Sequence, residues 1–366
     1  MAEPIRVGIV GASVARGSWG TRAHIPAIEA LPEVELKAVC TAHADTAAEA
    51  ARTYGAELAF HDYHELVDHP DVDLVAVCVR VPYHHEIVMA ALRAGKPVYC
   101  EWPLGANLAE AEEMAATARA ASILTTVGLQ GRGDPALSYV RELIAGGYVG
   151  EVLTCHMTLI SAGVIERPAD RVWSADVTKG VNTLTIAGGH SIDALCYCLS
   201  EFAEVSAKVA TAVPQWRVAE TGQMVDVTAP DNVLLNGVFE SGALASVHVA
   251  AVPHQGGGGW RLDIYGRDGS LAVSAGGMPQ MGPNRLLGAK AGEPLSDLEV
   301  PDRFTTVPEG TPKGPPYNVA QLYTRFADAL RDTGATAADF DLAVQRHRLL
   351  DAIQRSSDEG RSMRLS

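Results

Sequence analysis

Apolar positions in the first third of the chain gather into short continuous runs separated by stretches with helical spacing. Ile5–Val10, Val34–Cys40, Leu74–Val79, Pro97–Cys100 and Thr125–Leu129 read as strands, and Ala23–Leu31, Thr46–Tyr54, Glu86–Ala94 and Leu108–Ala121 read as helices. Strands spaced by helices of about ten residues imply βαβ units and a parallel sheet with helices on both faces. After Gly146-Gly147-Tyr148-Val149-Gly150 the period changes. Val152–Ile160, Ala203–Val213, Val233–Phe239, Ala243–Ala251 and Trp260–Gly266 carry alternating or β-branched patterns, with Glu240-Ser241-Gly242 and Arg267-Asp268-Gly269 as hairpin turns. One helical segment lies between Thr178 and Leu199, and Tyr317–Asp332 and Asp341–Gln354 supply terminal helices. Gly256–Gly259 and the Pro/Gly-rich stretch from Gly276 to Pro316 read as long loops. The predicted fold is α/β over 1–130, followed over 131–366 by an α+β domain on a large, mostly antiparallel open sheet. Its C-terminal helix is free to pack back on the first domain.

The 366 residues are 47% hydrophobic and 20% charged, enough for a full core and more than one typical domain. A formal charge of −15, spread along the chain, argues against nucleic acid or an anionic membrane as partner, because both need a basic surface. A small, neutral ligand suits this charge better. No apolar stretch approaches the length of a bilayer span. Met-Ala-Glu-Pro-Ile-Arg lacks the basic and then apolar regions of a secretion signal, so the expected location is cytoplasmic. Cys40, Cys78 and Cys100 end apolar runs, as buried reduced thiols do, and Cys196 and Cys198 are too close for zinc-finger spacing. His61, His64 and His69 with Asp62 and Asp68 have no fixed ligand spacing and read as solvated polar surface, so no metal is expected.

Ile5–Ser13 is a strand running into a tight turn, followed by Gly17 and a helix. In that arrangement backbone N–H groups and a helix N-terminus receive a pyrophosphate. Gly8, Gly11 and Ala12 stand in it, with Gly11 serving the tight turn. The second glycine of the dinucleotide fingerprint is Ser13, and Val14-Ala15-Arg16 lengthens the loop before Gly17. At the first βα turn of an α/β half, this predicts a Rossmann domain that binds NAD or NADP. The second strand ends in Thr41-Ala42-His43 where an NAD site usually has the Asp or Glu that binds the ribose 2′-hydroxyl. Nothing there repels a 2′-phosphate, and Thr41, His43 and Arg16 are candidates to contact it, so the balance leans toward NADP or tolerance of both. Val79, Arg80, His84, Glu101, Trp102 and Gln130 follow other strand ends and complete the candidate cofactor contacts, since ligands of open α/β sheets bind at the carboxyl edge.

Taken together, Gly8–Ser13, His84, Gly95-Lys96-Pro97, Glu101-Trp102-Pro103, Gly147-Tyr148-Val149-Gly150-Glu151 and Gly189-His190-Ser191-Ile192-Asp193 resemble the glucose–fructose oxidoreductase, inositol dehydrogenase and rhizopine-catabolism (Gfo/Idh/MocA) family. The resemblance covers nearly the whole chain. It implies an N-terminal Rossmann domain, a C-terminal α/β domain whose open sheet often forms the oligomer interface, and hydride transfer between NAD(P) and a hydroxyl carbon of a sugar, polyol or related compound. A carbohydrate-like substrate and a homodimer or homotetramer are therefore expected. Within the family the chain looks most like the fungal galactose-regulon repressor and its dehydrogenase-like relatives. That likeness rests on Gly17, Glu101-Trp102, Leu129-Gln130-Gly131-Arg132, and Gly180-Val181 leading to Gly189-His190. The repressor branch looks like a dinucleotide-binding sensor that no longer catalyses.

Two positions depart from the family pattern. The Glu-Lys-Pro lysine is Trp102 here, and an indole N–H donates hydrogen bonds but cannot shuttle protons. The aspartate one helical turn before the active-site histidine is Ile186. Asn182, Ile186 and His190, at i, i+4 spacing, are expected to share one helix face and line one wall. His190 is the best surviving acid/base, with Lys179, Tyr83 and His84 as substitutes. The flat face of Trp102 suits stacking on a sugar ring or packing beside the nicotinamide, and Arg132 and Trp173 are expected to border the substrate. A positioned general base is worth roughly 10²–10⁴ in rate, so losing the lysine and aspartate leaves three outcomes open. They are a net dehydrogenase, a non-catalytic sensor that regulates a partner, and a redox-neutral enzyme with tightly held NAD.

Overall fold

Six apolar segments pair into one parallel sheet in the computed structural model, which describes residues 3–14, 17–162, 165–253, 258–332 and 338–365. They are β1 (Ile5–Val10), β2 (Val34–Cys40), β3 (Leu58–Phe60), β4 (Leu74–Val77), β5 (Val98–Glu101) and β6 (Thr125–Gly128). Their order is β3-β2-β1-β4-β5-β6, and every neighbouring pair is parallel. The order reverses between β1 and β4, and in sheets of this order a crevice opens there at the carboxyl ends of the strands. This is the Rossmann arrangement that the alternation of runs and helices predicted.

After β1 a π-helical turn over Gly20–His24 runs on as α1 (Ile25–Glu29). Helices α2 (Ala44–Tyr54), α3 (Tyr63–Asp68), α4 (His84–Arg93) and α5 (Leu108–Ala120) follow the next strands. The side chains of Asp62 and Asn107 accept from backbone N–H groups in the first turns of α3 and α5, as N-caps do. The helix over Pro315–Asp332 belongs to the same compact unit, which comprises Met1–Gly133 and Thr306–Gln345. Its Val319, Leu322, Tyr323 and Phe326 are buried among Val7, Ile9, Val39, Leu74 and Tyr99 of the sheet. β3 went unread in the sequence because three residues are too few to show a period.

The second unit comprises Asp134–Thr305 and Arg346–Ser366. It opens with α6 (Pro135–Ala145), whose first turn is capped by the Asp134 carboxylate, and continues with β7 (Val152–Ala162) and β8 (Glu166–Arg167). Then come α7 (Gly189–Cys198), β9 (Phe202–Ala210), β10 (Gln215–Val218), β11 (Met224–Asp226), β12 (Asn232–Phe239), β13 (Leu244–Val252), β14 (Gly259–Gly266), β15 (Gly269–Ala275), β16 (Arg285–Lys290) and β17 (Ser296–Asp297). After α8 (Pro315–Asp332), α9 (Phe340–Glu359) and β18 (Met363–Arg364) close the chain.

A nine-stranded sheet runs β17-β16-β15-β14-β7-β13-β12-β9-β18. β7 and β13 are parallel, and every other neighbouring pair is antiparallel, as the alternating patterns predicted. In β12, Val233, Leu235 and Phe239 are buried while Leu234 and Asn236 are exposed, the period of a sheet with one face to the core. The stretch read as a long loop from Gly276 contains β16 and β17, and a three-stranded sheet of β11, β10 and β8 was also missed. Short edge strands draw their pairing from distant segments, so their own sequence carries little signal. Of the predicted Gly256–Gly259 loop, Gly256 and Gly257 lie outside the described residues, and Gly259 opens β14.

One buried ion group fixes the helix that carries the predicted histidine. The Arg346 guanidinium of α9, closed to solvent, lies 3.2 Å from the equally buried Asp193 of α7 and also pairs with Glu201. Removing one member of such a group costs about 3–5 kcal/mol because the remaining charges stay in place without it. Arg346→Met is therefore expected to lower the melting temperature by several degrees in a calorimetric scan. An unchanged transition would show that this group does not hold α7.

Candidate functional site

The turn after β1 is built by the absence of side chains. Gly11 has φ +110°, and a Cβ there would sit 2.5 Å from the Cys78 carbonyl oxygen just past β4, so the two strand ends touch backbone to backbone at the crevice. Its N–H donates to Cys40 O at 3.0 Å, and the Ser18 hydroxyl donates to Gly11 O at 2.7 Å, closing the loop on itself. Gly20 packs the following helical turn onto the strand, since a Cβ there would stand 3.0 Å from Gly11 O and 3.3 Å from Cys78 Cβ. Gly11 and Gly20 thus supply the tight turn and the close helix–strand approach that a dinucleotide site needs, and these residues fit NAD(P).

The other fingerprint positions divide. Gly8 lies inside β1 against Leu66 and Val72, so it is a packing residue and not a cofactor contact. Ala12 is buried, Ser13 is half-buried, and Gly17 is exposed with φ +49° in open space, which leaves the packing role to Gly20. Arg16 lies outside the described residues. Thr41 is buried at the end of β2, its hydroxyl 3.1 Å from His43 O and 2.7 Å from the Thr46 hydroxyl. His43 is exposed at the start of α2, whose first turn contains Asp45. Val79 and Arg80 are half-buried beyond β4, and Tyr83 is exposed.

His84 was expected to face the cofactor, but its imidazole is buried and committed to the protein. Nδ1 lies 2.9 Å from Pro103 O and Nε2 3.1 Å from Val79 O. Burial pushes this imidazole below its ordinary range, outweighing the pull of those two carbonyls. His84 therefore ties the loop after β4 to the loop after β5. Burial likewise pushes the Cys78 and Cys100 thiols well up and the Cys40 thiol up to about 12, so all three stay protonated packing groups.

At the end of β5, Glu101 is only 8% exposed and every neighbour answers its carboxylate. His24 Nε2 is 2.8 Å from Oε1, and the Gln130 amide donates to Oε1 at 2.9 Å and to Oε2 at 2.8 Å. His24 Nδ1 is in turn 2.8 Å from the Tyr323 hydroxyl. The carboxylate lies across Gly128, where a Cβ would approach Oε1 to 2.5 Å. Glu101 and Gln130 thus face each other as well as the crevice edge. The next residue, Trp102, is buried at 4% exposure, and Arg132 is buried on the turn that carries Gln130.

In the second unit, Asn182, Ile186 and His190 follow at i, i+4 spacing from a π-helical turn into α7, and the Ile186 N–H donates to Asn182 O at 2.9 Å. Asn182 is the N-cap of a π-helical turn over Thr183–Gly188, its side chain accepting from Thr185 N at 3.1 Å while Thr185 Oγ1 accepts from Asn182 N at 3.0 Å. Ile186 is half-buried and His190 buried at the start of α7. Lys179 is exposed, its Nζ 3.9 Å from Asp176, and Trp173 is half-buried in the short helical segment Ala169–Ala175. Among the described residues no group of three His, Cys, Asp or Glu could hold a metal, and no helix is long and apolar enough to cross a membrane.

The sheet order and glycine turn define a dinucleotide-binding oxidoreductase domain, and residues 5–129 match the family described as oxidoreductase family, NAD-binding Rossmann fold. Residues 135–275 match the Gal80p C-terminal domain. The dehydrogenase aclE of Aspergillus oryzae is 31% identical over 98% of both chains. A levoglucosan dehydrogenase of Pseudarthrobacter phenanthrenivorans is 26% identical over 74% of each. The crystal structure of an oxidoreductase domain protein from Kribbella flavida covers 100% of both chains at 25% identity with a TM-score of 0.86. The chain belongs to the Gfo/Idh/MocA oxidoreductase family.

Sequence reasoning passed over Gly20, His24, Tyr99 and Tyr323. A second glycine three residues after Gly17, and a histidine four residues beyond it, were the available signals. Gly20→Val is expected to push the helical turn off Gly11 and weaken dinucleotide binding by about tenfold or more, equivalent to the 1–3 kcal/mol of overpacking. Dinucleotide titration followed by fluorescence checks this, and undiminished affinity would remove Gly20 from the site.

Proposed function

We propose that this protein is an NAD(P)-dependent dehydrogenase acting on a hydroxyl-bearing carbon of a sugar, polyol or related small molecule. The observation that carries the reading is the glycine-built crevice at Gly11 in a chain similar from end to end to a dehydrogenase. The similarity to levoglucosan dehydrogenase supports a carbohydrate-like substrate. Thr41 at the end of β2 supports acceptance of NADP as well as NAD, with Asp45 in the first turn of α2 as the carboxylate that would oppose a 2′-phosphate.

Bound nicotinamide supplies the acceptor or donor of hydride. The backbone of the turn that Gly11 opens would receive the pyrophosphate. His190 would take the hydroxyl proton of the substrate, as the acid/base that survives where the family's lysine is Trp102 and its aspartate Ile186. Lys179 and Tyr83 are exposed and stand second. Trp102, Arg132, Trp173 and Ile186 are the proposed substrate contacts. Asn182 spends its side chain as a cap and contributes less.

A second reading has its own support. The match to the Gal80p C-terminal domain, with lysine and aspartate both replaced, favours a dinucleotide-binding regulator without turnover. Absorbance of reduced nicotinamide separates the two. Protein is mixed at near-stoichiometric concentration with NAD or NADP and a panel of sugars and polyols, beside His190→Ala. Reduction that falls by about 10²–10⁴ in the variant supports the dehydrogenase. Cofactor binding without reduction by any compound overturns it in favour of the regulator.

The outer face of the large sheet supports an oligomer. Leu244 lies opposite Thr154, which lies opposite Tyr265, and Leu234 stands on the same face, all exposed. Exposed large apolar side chains on one sheet face suit a second copy of the chain. Sedimentation velocity should find a dimer or larger assembly that Leu234→Lys with Leu244→Lys reduces to monomer. A wild-type monomer would refute the assembly.

A further inference from the structure

Among the described residues of the first unit, Glu101 is the only buried carboxylate, and it stands at the carboxyl edge of β5. In a sheet of this order the half containing β4, β5 and β6 takes the second mononucleotide, because the 2′-hydroxyl of the first is read at the end of β2. That second mononucleotide carries the nicotinamide. Glu101 is therefore the buried carboxyl group in the half of the sheet that meets the redox ring.

Its partner His24 has two complete hydrogen-bonding patterns. With the imidazole neutral, the Tyr323 O–H donates to Nδ1 over 2.8 Å and Nε2–H donates to Glu101 Oε1 over 2.8 Å, leaving the pair with one negative charge. With the imidazole protonated, the Tyr323 O–H hydrogen turns off Nδ1, Nδ1–H donates to the Tyr323 oxygen instead, and the pair is neutral overall. Nothing heavier than a hydrogen has to move between them. Tyr99 packs edge-on against the His24 ring at 4.8 Å and Tyr323 at 5.5 Å, so the ring cannot turn away from either partner.

The other ionisable groups around Glu101 are held in one state. They are Tyr99 and Cys100 of β5, Cys78 beyond β4, His84 of α4 and Tyr323 of α8. Burial keeps the phenols and thiols protonated and His84 neutral. Arg132, on the same turn as Gln130, stays charged throughout. His24 and Glu101 are left as the pair able to exchange a proton.

We infer that the His24–Glu101 pair holds one more proton beside a reduced nicotinamide than beside an oxidised one. The oxidised ring carries a positive charge that balances the anionic pair. The reduced ring is neutral, and an unbalanced buried charge is costly enough that the pair takes a proton from solvent instead. The proton enters at His24 and leaves to solvent when the oxidised form binds. The inference rests on the dinucleotide reading of this unit and holds for a dehydrogenase and a regulator alike.

Isothermal titration of the full chain with NAD+ and with NADH, each in two buffers of different ionisation enthalpy, counts the protons. NADP+ and NADPH replace them if they bind more tightly. The complex with the reduced form is expected to hold up to about one proton more. By linkage, the dissociation constant for the reduced form should rise relative to that for the oxidised form by up to about tenfold per pH unit as pH increases. Glu101→Gln, which keeps the shape and removes the charge, should make the two proton counts equal. Tyr323→Phe removes the acceptor for Nδ1–H at almost unchanged volume and should shrink the difference, which keeps the test open if the Glu101 variant fails to fold. Equal proton counts in the wild-type chain overturn the inference and leave the dinucleotide site standing, whereas failure of every dinucleotide to bind overturns both.

Discussion

A carboxylate closed off from water must find a donor for each oxygen, and the first unit is organised around meeting that demand at Glu101. Leaving one such group unanswered costs more than a neutral hydrogen bond returns. The donors come from far apart in sequence: His24 from the π turn after β1, and Gln130 from the turn after β6. Tyr323 of α8 stands behind His24, and Gly128 gives up a side chain so that the carboxylate can lie across it. The same glycine economy operates at Gly11 and Gly20, where the absence of Cβ atoms lets backbone meet backbone. One carboxyl group thus ties together the helical turn after β1, the edge of β5 and, through His24, a C-terminal helix.

The second unit uses the same device with the opposite charge. Arg346 is a buried cation answered by Asp193 and Glu201, and Asp193 lies three residues after His190 on α7. In each unit a proposed site residue stands beside the buried charge: Trp102 follows Glu101, and His190 shares a helix with Asp193. A buried ion group is weak evidence for stability, because an apolar replacement of the same shape can serve equally well. Its value lies in geometry. An ion group accepts few arrangements of its partners, whereas an apolar contact tolerates sliding.

What could be read in the sequence was what is periodic or local. The parallel strands are continuous apolar runs, the antiparallel ones alternate, and the break at Gly146–Gly150 separates the two regimes. Gly11 was legible because a tight turn after a first strand has few solutions. The misreadings have physical causes. Gly17 was taken as the glycine before the helix because the loop is longer than usual, and only the fold shows Gly20 against Gly11. His84 looked like a ligand contact until both ring nitrogens were found on the protein's own carbonyls. The π turn over Thr183–Gly188 went unread because it leaves no mark in a pattern of apolar residues. His24 and Tyr323, 299 residues apart, make a contact that no local pattern encodes.

The substitution at Trp102 therefore changes more than the inventory of proton carriers. Where the family pattern has lysine, a cation would stand next in sequence to Glu101, and the strand edge would carry both signs of charge. Here the neighbour is a buried indole, which is neutral at every pH, so the edge of β5 keeps its anion and loses the lysine's charge. The protein answers Glu101 with His24 and two neutral amide bonds instead. Amide donors stabilise a carboxylate without cancelling its charge, so with Arg132 charged throughout, the part of the charge here that can vary depends on one imidazole and on the ligand. With no lysine beside Glu101, that imidazole is left to answer a change of one unit in ligand charge. The proposed proton exchange at His24 would then let this chain distinguish the two forms of its dinucleotide.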